Sequence, residues 1–260
     1  MSSPTLNIGV LALQDFIYIS KPSLHLNHII ARRLTNPPSH PGGFTEHLYL
    51  LSLLSPSYNL TLVQIRTPAE LSLVSALILP GGESTAISNL MQSQGLLEPL
   101  REFAEDARMG RKGRTIWGTC AGMIMLAKDV VGSKAEYEGI GGVDVKVVRN
   151  QWGRQAESFL HNLPLSFLPP TSPPFQAIFI RAPILHTLLP TDANTPPIEI
   201  ISRIPLELLP KAPKGAEPLG PDADVVMVRQ GNLVLSSFHP ELGADTRVHD
   251  WWVRECAISP

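Results

Sequence analysis

Of the two cysteines and eight histidines in the 260-residue chain, one cysteine and one histidine stand where they could do covalent chemistry. Cys120 lies in Gly118-Thr119-Cys120-Ala121-Gly122, just after the apolar run Thr115-Ile116-Trp117 and just before the helix-compatible stretch Met123 to Lys128. Gly-x-nucleophile-x-Gly at a strand-to-helix junction is the pattern of a nucleophile on a sharp turn. The backbone there takes strained angles, and side chains two residues to either side would strike the neighbouring helix and strand. A thiol at a helix N-terminus also meets unpaired N–H groups and the positive end of the macrodipole, which favour the thiolate. The bland alternative is a buried, inert cysteine at a helix start.

A nucleophile of this kind needs a base. Far downstream, the strand-like run Leu233 to Phe238 ends in His239-Pro240-Glu241. Residues two apart in extended backbone point to one side, and Pro240 stiffens the link between them. Glu241 is thus placed to orient the imidazole of His239, which would take the proton of Cys120. Alone, His-Pro-Glu reads as a polar strand end with an ordinary surface charge. Paired with the cysteine turn, it reads as the rest of an acyl-transfer triad.

The elements that must position these residues alternate along the chain. Ile8 to Leu13, Leu60 to Ile65, Ala76 to Leu79 and Thr115 to Trp117 read as buried strands, and His47 to Leu54, Ser84 to Gln94 and Leu96 to Ala107 as helices. Short apolar strands separated by helices predict a mostly parallel sheet covered on both faces, with sites beyond the carboxyl ends of its strands. Gly81-Gly82 and Cys120 both fall at such ends. The proline-crowded stretch Pro164 to Pro221 excludes continuous helix and reads as surface loops around strands near Ala177 to Arg181 and Glu199 to Ser202.

Several blocks together resemble the glutaminase subunits of pyridoxal 5′-phosphate synthases, a family of class I, triad-type glutamine amidotransferases. They are Ile8 to Gln14, Phe44-Thr45-Glu46-His47, Leu77 to Ile87 with its Gly81-Gly82-Glu83-Ser84-Thr85 core, Trp117 to Gly122, Val148 to Gln155, Phe179 to Pro183, and Phe238 to Leu242. The Gly-Gly-Glu-Ser-Thr and Asn-x-x-Gly-Arg-Gln patterns distinguish this family from other class I glutaminases. The resemblance implies a flavodoxin-like three-layer α/β sandwich with a mostly parallel central sheet, built as a single domain over residues 1–260. It implies Cys120, His239 and Glu241 as catalytic residues. Gly82, Glu83, Ser84, Arg149, Ile180 and Arg181 would bind L-glutamine, and the backbone N–H groups of Gly82 and Ala121 would meet the oxyanion. Ammonia would pass to a synthase subunit in a large hetero-oligomer, with no metal and no cofactor on this chain. Gly81-Gly82 as a simple turn, Glu83-Ser84 as a helix cap and both arginines as surface charges remain the plain readings. Arg154 is read as structural.

One departure from the family stands out. The run Asp15 to Gly42 separates Gln14 from Phe44, where the family has a short Gly-Ala-Phe-like turn. Its apolar spacing supports at most one short helix, and His25 and His28, without a third suitably spaced partner, make poor metal ligands. It reads as a surface loop atypical of the family or as non-native sequence from an unspliced intron. Because it follows Gln14, it also motivates an alternative in which the chain is a catalytically impaired, partner-binding subunit. A third reading is another activity on a related fold, such as a cysteine-elbow chaperone or deglycase, against which the His-Pro-Glu pair argues.

Composition bounds these readings without choosing among them. Hydrophobic residues make up 43%, enough for a packed core, and a net charge of −2 gives no general electrostatic case for nucleic acid or anionic membrane. Neither a membrane-length apolar run nor a basic leader is present, and two cysteines are too few for a disulfide framework. A reduced, cytoplasmic setting is expected. No Gly-rich nucleotide-phosphate cradle appears.

Overall fold

A computed structural model describes residues 5–13, 43–133, 135–149, 158–210 and 218–258. The expectations for 15–42 with His25 and His28, for Gln14, and for Asn150 to Gln155 including Arg154 lie outside the described residues. In chain order the elements are β1 (Leu6–Leu11), α1 (Gly43–Tyr58), β2 (Leu60–Ile65), α2 (Pro68–Leu71), β3 (Ala76–Leu79), α3 (Ser84–Ser93) and α4 (Leu97–Arg108). Then follow β4 (Thr115–Thr119), α5 (Ala121–Leu126), β5 (Ala127–Val131), β6 (Val143–Val148), β7 (Ser158–Leu163), β8 (Phe175–Ile180) and β9 (Ile184–Leu188). The last are β10 (Ile198–Arg203), β11 (Val225–Gln230), β12 (Leu233–Ser236) and α6 (Arg247–Trp252), continued by a π-helical turn, Val253–Ile258.

Seven strands form one sheet in the order β10-β11-β12-β4-β3-β1-β2. The pairs from β12 to β2 are parallel, whereas β10–β11 and β11–β12 are antiparallel. Alternation along each strand sends side chains to opposite faces. Leu77, Leu79, Ile116, Leu233 and Leu235 join one core with α3, α4 and α5, and Ile78, Trp117 and Val234 join the other with α1 and α6. Helix α4 shows the sequence logic, since Leu97, Leu100, Phe103, Ala104 and Ala107 recur at helical spacing and are its buried apolar residues. Burying Phe103 removes enough apolar surface to stabilise the fold by about 2–3 kcal/mol. Among the described residues no helix is long and apolar enough to cross a membrane.

Several elements differ from the sequence reading. The stretch Met123 to Lys128 is not all helix: α5 stops at Leu126, Ala127 turns extended, and Lys128 belongs to β5, where its ammonium meets Asp144 at 2.7 Å. The first strand ends at Leu11, and α1 is longer than His47 to Leu54, running from Gly43 through Pro56 to Tyr58. The proline-rich stretch holds β9 in addition to β8 and β10. Prolines mark the connections but say nothing of the short strands between them. Two small sheets, β5-β6-β9 and β7-β8, attach to the main one. Asp144, whose side chain is 1% exposed, anchors the first of these. It accepts from Arg108 of α4 at 2.7 Å and from Gln230 of β11 at 2.9 Å, besides Lys128.

The turn after β4 is as crowded as its glycines imply. A Cβ on Gly118 would lie 2.5 Å from the Gly122 carbonyl oxygen, and one on Gly122 would overlap the Leu79 carbonyl of β3. Both obstacles are backbone and cannot rotate away. Gly122→Ala is therefore expected to destabilise the chain by more than about 3 kcal/mol. Gly110→Ala, at φ +64 but in open space, should cost only about 1–2 kcal/mol. Urea melts of the two variants check this, and equal midpoints would show that the turn is not tightly packed.

Candidate active site

Three parallel strands end side by side and each delivers one part of the site. From β3 comes Gly81-Gly82, from β4 Cys120 and from β12 His239. The register pairs Ser236 with Thr119, and the Cys120 N–H donates to the Ser236 carbonyl at 2.9 Å. The Trp117 indole N–H donates to Ser236 Oγ at 3.1 Å, a second tie between the two strands. Beyond β12 the chain is fixed from the other side, because the His239 N–H donates to the Ile178 carbonyl of β8 at 2.8 Å.

Cys120 is the N-cap residue of α5 at φ 48, ψ −104, a conformation L-residues rarely adopt, and its side chain is nearly buried. Strain of this kind costs about 1–3 kcal/mol and persists only where the surroundings enforce it. The imidazole of His239 is hydrogen-bonded to Cys120, and its Nδ1 lies 2.8 Å from Glu241 Oε1. With Nδ1–H given to Glu241, Nε2 is the nitrogen left for the thiol. Burial works against a charged imidazole at His239, but the Cys120 sulfur, the Glu241 carboxylate and the hydrogen bonds to both raise its pKa well above the ordinary 6.5. For Glu241 burial favours the neutral acid, yet His239, His47 and the hydrogen bonds hold the carboxyl below the usual range. Gly81 makes room for this arrangement, since a Cβ there would sit 2.6 Å from His239 Cε1.

A cavity opens beside Cys120. Of the residues singled out in the sequence, Gly82, Glu83, Ser84, Arg149, Ile180, Arg181 and His239 line it with Cys120. Ala121 stands at the first turn of α5, and Glu241 lies behind His239, away from the cavity. Glu83 lines the cavity and is also the helix cap of its plain reading. Its carboxylate caps α3 by accepting from the N–H groups of Thr85 and Ala86, and it also meets Arg149 Nη2 at 3.1 Å. Arg149 Nη1 is buried and has no hydrogen-bond partner among the described residues. Arg181 is held at φ 45. Ile124 and Pro183 also line the cavity. Pro183 fell in a matched block without a role, and Ile124 carried no signal beyond its place in the helix.

Behind Cys120, His239 and Glu241 is a polar cluster that the residue types alone did not reveal. His47 Nε2 is 3.4 Å from Glu241 Oε2 and 3.3 Å from Thr119 Oγ1, and His47 Nδ1 is 2.9 Å from His249 Nε2. Burial depresses His47 to about 4 and His249 well below its ordinary value, so both rings are neutral near pH 7. The signal for His47 was its place in a matched block, while His249 had none. Glu46, next to His47, is pushed up to about 7, first by burial and further by the facing Glu241 carboxylate, against its own backbone N–H and His239. Among the described residues no group of three or more His, Cys, Asp or Glu is arranged to hold a metal ion.

Comparison with known proteins gives a consistent set of likenesses. The pattern of the SNO glutamine amidotransferase family matches residues 39–258. A protein of Thermococcus gammatolerans named pyridoxal 5′-phosphate synthase subunit PdxT is 42% identical over 193 residues, covering 74% of this chain and 82% of that protein. One of the same name from Dehalococcoides mccartyi is 38% identical over 213 residues, covering 82% and 92% respectively. A solved structure described as a glutamine amidotransferase superposes with a TM-score of 0.65 at 30% identity, over 95% of this chain and 97% of its own.

The raised pKa of Glu46 carries a pH signature. In the fold the group keeps its proton up to about 7, whereas the unfolded chain releases it near 4.5, so stability is lost as pH rises through that window. Glu46→Gln, which keeps the neutral shape, is expected to raise the melting temperature at pH 8 and to change it much less at pH 5.5. Calorimetry at the two pH values checks the difference, and a pH-independent effect would mean that Glu46 ionises freely in the fold.

Proposed function

The chain belongs to the SNO glutamine amidotransferase family, and we propose that it hydrolyses L-glutamine to L-glutamate and ammonia in the cavity beside Cys120, supplying that ammonia to a pyridoxal 5′-phosphate synthase subunit. The observation that carries this reading is the connected series Cys120, His239 and Glu241, hydrogen-bonded in that order at the mouth of three parallel strands. A strained cysteine with a fixed base and a buried orienting carboxylate is the apparatus of acyl transfer from an amide.

In this mechanism the Cys120 sulfur attacks the side-chain amide carbon of glutamine, and the carbonyl electron pair moves onto oxygen. Backbone N–H groups of Gly82 and Ala121 receive that oxyanion. Gly82 is at φ 149, a conformation suited to glycine. Collapse of the intermediate breaks the carbon–nitrogen bond as His239 gives its proton to the departing ammonia, leaving a glutamyl thioester. Water, losing a proton to His239, then attacks the thioester, and the thiolate leaves. Glu241 keeps the imidazole tautomer and stabilises the imidazolium. Arg149 suits the α-carboxylate of the substrate, since one of its buried N–H groups is unmatched among the described residues. Glu83, Ser84, Ile180 and Arg181 complete the pocket wall.

The two PdxT proteins named above bear on the partner, since each is called a subunit of pyridoxal 5′-phosphate synthase. Ammonia is useful to such a reaction only if released where a synthase can take it up, which favours a stable complex, a large hetero-oligomer in the cytoplasm. The chain acts in it as a single glutaminase domain, a reading supported by the one seven-stranded sheet that both cores share. The assembled triad favours an active enzyme over a subunit that only binds its partner.

Cys120→Ala is expected to abolish ammonia release, by about 10⁴-fold or more, with an unchanged circular dichroism spectrum. His239→Asn should be nearly as damaging and Glu241→Gln less so, because Glu241 orients the base without exchanging protons. Retained activity in Cys120→Ala would overturn the assignment. A separate expectation concerns gating. An oxyanion site built partly from glycine backbone can be completed by a docking partner, so steady-state ammonia release should rise when the synthase subunit is added to saturation. Equal rates with and without it would refute this.

A further inference from the structure

The glutaminase reading leaves Glu46-His47, from a matched block at the start of α1, without a role, and the structure places the pair against the buried side of the triad. Oε1 of Glu241 is taken up by His239, while Oε2 is buried and has no hydrogen-bond partner among the described residues. The nitrogen facing it is His47 Nε2, at 3.4 Å, in a contact whose side chains are both 0% exposed. We propose that His47 is a positioning residue of this active site, presenting its Nε2–H to both Thr119 Oγ1 and Glu241 Oε2 so that the carboxylate keeps the orientation in which Oε1 serves His239.

The hydrogen-bond inventory selects this tautomer. If His249 Nε2–H donates to His47 Nδ1 across their 2.9 Å contact, His47 must carry its proton on Nε2, facing Glu241 Oε2 and Thr119 Oγ1. The only ring atom then left over is His249 Nδ1, a lone pair, which is the atom found without a partner. The opposite assignment turns a lone pair of His47 toward a carboxylate and strands a buried N–H at His249 Nδ1. Stranding a buried donor costs its full desolvation, so the first arrangement wins. Neutrality of both rings follows from burial, which depresses each of them. The edge of Trp117, with ring centroids 5.7 Å from His47 and 5.0 Å from His249, closes the apolar side of the pair.

The groups facing Glu241 are thus His239, from the segment after β12, and His47 and Glu46, from α1. Those facing His47 are Glu241, His239, Thr119 of β4 and His249 of α6. Helix α1 therefore meets Glu241 through His47 and Glu46, and neither of them lines the cavity.

The proposal rests on the glutaminase reading for its kinetic test but not for its structural one. In the full chain without substrate, nitrogen-15 NMR of labelled histidines at pH 7, assigned against His47→Gln, should show His47 neutral with its proton on Nε2. A proton on Nδ1, or an imidazolium, overturns the proposal whatever the activity. Ammonia release in the presence of synthase subunit is then followed across pH for His47→Leu and His47→Gln, alongside thermal melts. His47→Leu should lower kcat about 10-fold with KM unchanged, and move the acid limb of the kcat profile to higher pH, because a carboxyl that loses a buried donor holds its proton more tightly. His47→Gln keeps an amide N–H at similar reach and should recover most of the loss and the original limb. Wild-type kcat and pH profile in a folded His47→Leu variant would overturn the role, as would a Gln variant no better than Leu. Should the Leu variant fail to fold, the Gln variant and the NMR tautomer still decide. An inactive wild-type protein with the expected tautomer would count against the glutaminase reading alone.

Discussion

The parallel pairing of β12 with β4 is the constraint on which the site depends. The two strands are distant in sequence, and their register sets Ser236 opposite Thr119. The residues that follow, Cys120 on one strand and His239 on the other, then emerge at the same edge of the sheet. A slip by one residue would turn every side chain of β12 to the opposite face, exchanging Val234 for Leu233 and Leu235 between two differently shaped cores. The apolar alternation that packs the sheet therefore also fixes the distance between Cys120 and His239.

The second requirement is compression at the end of β4. Cys120 is kept at a positive φ by contacts that cannot yield, because Gly122 packs on the Leu79 carbonyl and Gly118 on Gly122. Gly81 lets the imidazole of His239 lie against the end of β3. Three glycines that look alike in sequence thus serve three different close approaches. The strain at Cys120 is sustained by the rigidity of the central strands, which are buried on both faces.

Burying the Glu241 carboxylate raises an electrostatic difficulty that the neighbouring residues resolve. Glu241 stays ionised because His239 and His47 face it and hydrogen bonds reach it. Glu46, exposed to that same carboxylate and poorly hydrated, retains its proton instead. Two carboxyl groups in one buried neighbourhood are driven apart in acidity, as like charges in low dielectric must be. The His47–His249 pair stays neutral for the same reason and contributes dipoles where extra charge would be costly.

By itself, the sequence determined the fold class and most strands of the central sheet, and it brought Cys120, His239 and Glu241 forward as a candidate triad. The glycines flanking Cys120, the His-Pro-Glu run and the apolar strands β2 and β3 are local patterns, since turn strain, strand alternation and helix periodicity are set by residues within a few positions of one another. Strands β5, β6, β7, β9 and β11 were not legible, because short strands carry weak local patterns and those among prolines look like loops. Tertiary structure alone decided what stands behind these three residues. His47 and His249 come from helices at opposite ends of the chain, and although the strand near Ala177 to Arg181 was legible, nothing local told that the Ile178 carbonyl within it would hold His239. Their roles arise from which buried polar groups remain unmatched when the layers close, and that is a property of the packed whole which no local stretch of sequence carries.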